Sequence, residues 1–88
     1  MSQIELVELD RFERLKNSES CFRVGLDLPG MGDVTVIIYD GGDIEIFDAA
    51  LGRGGELINF NEEAEVIEVA RRAIIFFELT GSTEGFVA

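Results

Sequence analysis

The chain has 88 residues, one cysteine, no histidine, and 18 acidic against 7 basic side chains, a net charge of −11. A chain this short holds one domain and buries only about 60–65% of the surface its unfolded form exposes, so a partner readily adds to its stability. The charge speaks against direct binding to nucleic acid or an anionic membrane, which takes clustered Lys and Arg, and favours a basic partner.

A single cysteine excludes an internal disulfide and suits a reducing, cytoplasmic setting. The opening Met1-Ser2-Gln3-Ile4-Glu5 carries an acid where a secretory signal carries positive charge, so export is not expected. The longest apolar run, residues 73–77, is far shorter than the roughly 20 residues needed to cross a bilayer. Without histidine the chain lacks the commonest general base, the hydrolytic triads that depend on it, and the commonest transition-metal ligand. The expectation is a protein that is not an enzyme and needs no cofactor or metal.

In chain order, residues 4–9 suit a strand, while Leu9, Phe12 and Leu15 share one face of a helix that Asp10 could cap with Glu13. The reading is a strand followed by a short helix. A fully helical start would give an α-β-β-β-(β)-α order that resembles the double-stranded RNA-binding topology, without the basic residues those domains use. Next, Phe22, Val24, Leu26 and Leu28 alternate with Arg23, Gly25 and Asp27, the pattern of a half-buried strand. Pro29-Gly30-Met31-Gly32 breaks the chain before residues 34–39, a β-branched run expected to pair antiparallel with the strand before it.

Asp40-Gly41-Gly42-Asp43 predicts a two-residue hairpin turn with positive φ at the glycines. The strand that returns, residues 44–48, places Ile44 and Ile46 on one face and Glu45 and Phe47 on the other. Gly52-Arg53-Gly54-Gly55 reads as a flexible loop, and residues 56–60 as a further short strand. From Asn61 the period changes: Val66, Ala70, Ala73 and Phe77 recur at helical spacing. Asn61 as N-cap, the early glutamates, and Gly81 as a stop predict a helix over 62–79. The fold class is therefore α+β: an antiparallel β-meander of four to five strands packed by a C-terminal helix, with a short N-terminal strand or helix.

Cys21 reads as a small buried filler, since its neighbourhood is acidic and would raise a thiol pKa. Asp40, Asp43, Glu45 and Asp48 do not match the spacing of a calcium-binding EF-hand loop and read as hairpin carboxylates. Gly52-Arg53-Gly54-Gly55 lacks the Lys-Ser/Thr ending of a phosphate-binding loop, which leaves Arg53 on a strand connection, free to meet a carboxylate. Acids recur through the sheet as Asp27, Asp33, Asp40, Asp43, Glu45, Asp48 and Glu56, and crowd the helix start as Glu62, Glu63, Glu65 and Glu68. Carboxylates shown in this way can stand in for phosphates before a basic channel, or simply form a solvated acidic surface.

In size, charge and its sheet-plus-helix plan, the whole chain resembles the small acidic proteins that bacteriophages direct against host defence, including anti-CRISPR proteins and DNA mimics. No motif carries the resemblance, so it assigns no residue. It implies an inhibitory module that occupies the nucleic-acid-binding surface of a basic protein or nucleoprotein complex. The expected partner-binding residues are Asp40, Asp43, Glu45, Asp48, Arg53, Glu62 and Glu65. Two alternatives stand beside this: a homo-oligomeric accessory subunit, such as a homodimer, that buries Phe76, Leu79 and Phe86, or an immunity protein covering a basic toxin.

Overall fold

The computed structural model describes residues 4–14, 19–29, 32–48, 53–54 and 60–88, and for 14, 48, 53, 54 and 60–62 only the backbone. Five strands and one helix follow in order: β1 Glu5–Arg14, β2 Glu19–Leu28, β3 Gly32–Tyr39, β4 Ile44–Asp48, β5 Arg53–Gly54 and α1 Phe60–Thr80. Every strand pairs antiparallel with its chain neighbour, so spatial order repeats chain order, and α1 lies across β1, β2 and β3. The fold is the expected α+β meander with a C-terminal helix. The two-residue β5 lies within the glycine-rich segment read as a loop, which is corrected to that extent. The strand expected over 56–60 falls outside the described residues except for Phe60, which opens the helix.

The alternation in β2 works as written. Phe22, Val24, Leu26 and Leu28 are all buried, and register sets them beside Ile38, Val36, Val34 and Gly32 of β3. Val66, Val69, Ala70, Ala73 and Ile74 of α1 close this core, a stripe at spacings of three and four that turns one helix face to the sheet. The alanines let the helix backbone approach closely. Each large aliphatic side chain buried here contributes about 1.5–3 kcal/mol.

Three further expectations change. The helix begins at Phe60, in helical phase with Ala64 and Ile67, so Asn61 lies within the first turn and not at the cap. At the other end Gly81 stops it as expected, its N–H donating to the Phe77 carbonyl at 2.7 Å. The hairpin between β3 and β4 is a three-residue loop and not a two-residue one: Tyr39 and Asp43 close it through Tyr39 N–H to Asp43 O at 2.9 Å. Of its two glycines only Gly42, at φ 106°, uses the left-handed region, because a turn followed by one such residue suffices to reverse the chain.

The third change is at the N-terminus, where no short helix follows the first strand and β1 runs unbroken in strand form to Arg14. Two causes act together. The ten residues of β2 need backbone partners along their length, and residues 10–14 supply them opposite Arg23 to Glu19. The spacing of three between Leu6 and Leu9, which imitates a helix, is absorbed by a bulge between Leu6 and Glu8. Leu6 and Leu9 thereby both pack toward α1, while Phe12, three residues on, falls on the other face against Cys21, Ile37 and Tyr39.

Candidate functional site on the open face of the sheet

The bulge decides which side chains of β1 join those of β2 and β3 on the face turned away from α1. Beyond it, Glu8 stands opposite Gly25, Asp10 opposite Arg23 and Phe12 opposite Cys21. Farther across, Ile37 adjoins Arg23 and Glu45, and Thr35 adjoins Gly25 and Phe47. Gly25 allows Glu8 to lie across β2, since a Cβ there would stand 2.8 Å from the Glu8 Cγ.

A small apolar patch occupies one part of this face. Cys21, Ile37 and Tyr39 are buried with Phe12 packed against them, and the Cys21 thiol lies 3.6 Å from the Phe12 carbonyl oxygen it donates to. The filler role expected for Cys21 agrees with its burial. Arg23 roofs the patch: its guanidinium carbon lies 5.6 Å from the Phe12 ring centre, Nη2 lies 2.6 Å from Asp10 Oδ2, and Nε reaches Glu8 Oε1 at 3.8 Å. The hydrogen bond that Arg23 donates to Asp10, and then the charge of Asp10, raises the guanidinium pKa above its ordinary value. Tyr39 donates to Glu45 Oε1 at 2.7 Å, fixing that carboxylate at the patch edge.

Farther along the same face the character changes. Asp27 and Asp33 are directly opposed across β2 and β3, and both are exposed. Like charges opposed in this way are destabilising. Arg23 is already engaged by Asp10 and Glu8, so it does not offset the negative charge at this end of the face.

Of the carboxylates expected at the binding face, Asp40, Asp43, Glu45 and Glu65 lie in different parts of the fold. Asp40 lies at the hairpin on the helix side, bound by Arg11 at 2.7 Å, and borders a groove of about 270 Å³ with Phe22, Ile38, Arg71, Ile74 and Ile75. Its hydrogen bond raises the Arg11 guanidinium above the ordinary value, and that guanidinium also sits 4.6 Å from the Phe22 ring centre. Asp43 is exposed at the hairpin, whereas Glu45 belongs to the open face. Asp48 and Arg53 are opposed in the β4–β5 pairing, Glu62 is in the first turn of α1, and Glu65 is exposed on that helix.

Glu8, Asp10, Asp27 and Asp33, which share the open face with Glu45, are not among the expected partner-binding residues. Asp27 and Asp33 are readable as neighbours because they lie just before and just after the Pro29–Gly32 break between two antiparallel strands, but the placing of Glu8 and Asp10 depends on the bulge. Among the described residues, no group of three or more acids, cysteines or histidines is placed to hold a metal ion, and no helix is long and apolar enough to cross a membrane. No family model, no curated protein and no solved structure matches the chain.

Proposed function

We propose that the chain is a binding module that presents the acidic end of its open face to a basic, nucleic-acid-binding protein or complex, acting as an inhibitor in the manner of a nucleic-acid mimic. The observation that carries this reading is the exposed Asp27–Asp33 pair, which opposes like charges within the fold and gains a counter-charge when a cationic surface docks. Two of the chain's arginines support it from the other side: Arg11 is engaged by Asp40, and Arg23 by Asp10 and Glu8, so neither offsets that end of the face. The net charge of −11 supplies the long-range attraction. Phe47, partly exposed on the same face opposite Thr35, adds an apolar contact that salt does not weaken.

The test is capture of partners from a bacterial lysate on the immobilised chain at low salt, eluted by rising salt and, separately, by duplex DNA. A nucleic-acid-binding protein released by both is expected, and the Asp27→Asn/Asp33→Asn variant should retain at least about tenfold less of it. Capture of no such protein defeats the reading. Equal capture by the folded double variant moves the interface off this face.

A further inference from the structure

β1 ends the sheet, and among the described residues no strand pairs with its outer edge. An unpaired edge ten residues long is an open template for another strand, which proteins ordinarily blunt with bulges and charges. Here the bulge lies between Leu6 and Glu8, and the C-terminal tail lines a cleft with residues 4–7 through Thr83 and Phe86. Residues 9–14 are beyond both features. They form a regular stretch, Leu-Asp-Arg-Phe-Glu-Arg, whose two acids and two arginines cancel in a chain of net charge −11.

We propose that residues 10–14 of β1 pair antiparallel with the same residues of a second copy, centred on Phe12, to join the two sheets into one. A two-fold axis perpendicular to the sheet keeps the faces matched, so residues of like parity must oppose one another. Centring on Phe12 sets Arg11 opposite Glu13 and Asp10 opposite Arg14 in both directions, with Phe12 beside its own copy. Centring instead on Asp10, Arg11, Glu13 or Arg14 sets a charge against itself, and centring on Leu9 opposes Glu8 to Asp10. One register among these is complementary at every charged position. Arg11 can serve both Asp40 within the chain and Glu13 across the axis, because Asp40 engages its Nη2 and a guanidinium has five N–H donors. This interface is independent of the acidic-face reading, since it uses the edge of the sheet and not the Asp27–Asp33 end.

The charge pattern supplies its own test by sedimentation equilibrium of the full chain. Arg11→Glu opposes two acids at both ends of the pairing, and Glu13→Arg opposes two arginines, so each variant should dimerise at least about tenfold more weakly than the wild type. Mixed one to one, the two variants restore opposite charges at both positions and should form a heterodimer about as tight as the wild-type dimer. That rescue also shows that both variants are folded. A wild-type chain still monomeric at about 0.1 mM overturns the proposal. So do single variants that dimerise as well as the wild type, or a mixture with no gain over either variant alone.

Discussion

The two faces of the sheet use the same strands for different ends. Toward α1, Phe22, Val24, Leu26, Val34 and Val36 meet Val66, Val69, Ala70 and Ala73 in a core of apolar contacts. Away from α1, the apolar side chains buried among the described residues are those of Cys21, Ile37 and Tyr39, and polar links add to them: Arg23 to Asp10 and Tyr39 to Glu45. At its far end the open face keeps an opposed acid pair, an arrangement that costs stability. Packing fixes one face, while the other is held lightly enough to carry an unfavourable arrangement of like charges.

Substitutions on the two faces should differ in size and in sign. Leu26→Ala on the covered face removes a fully buried side chain and should cost about 3 kcal/mol in urea unfolding, a large share of the roughly 5–10 kcal/mol expected of a domain this size. A loss below about 1 kcal/mol would mean that the helix-covered core is not the main source of stability. Tyr39→Phe on the open face removes the hydrogen bond to the exposed Glu45 and should cost about 0.5–1 kcal/mol by the same measurement. A cost matching that of Leu26→Ala would erase the distinction between the faces. Asp33→Asn should act in the opposite direction, stabilising by about 0.2–0.5 kcal/mol at low salt, with the gain fading as salt is added. Destabilisation at low salt would show that the acid pair is compensated within the chain.

The covered face was legible because its signals are local. Alternation in β2, the β-branched run of β3 and the helical spacing around Val66, Ala70 and Ala73 each name their buried side without reference to another element. The open face was hardly legible. Its membership depends on where β1 lies, and the periods linking Leu6, Leu9 and Phe12 fit a helix as well as they fit a bulged strand. The hairpin shows the same limit on a smaller scale: Asp40 and Glu45 are five residues apart in sequence, yet the three-residue loop leaves one on the helix side with Arg11 and the other beside Tyr39. Acidic composition indicated that carboxylates would dominate the surface, but pairing and strand parity decide which of them share a face.

The coincidence of spatial order with chain order has a kinetic consequence. No strand waits for a distant segment before finding its neighbour, so each closure in the meander costs little loop entropy, and the pairings can accumulate one hairpin at a time. The exception is α1, which is last in the chain and lies across β1, β2 and β3, the first strands made. On a ribosome the sheet would therefore emerge before the element that covers its larger apolar face. Arrival of the helix converts a row of loosely associated hairpins into a cooperative unit, and until then Phe22, Val24, Leu26 and Leu28 are open to whatever else the nascent chain meets.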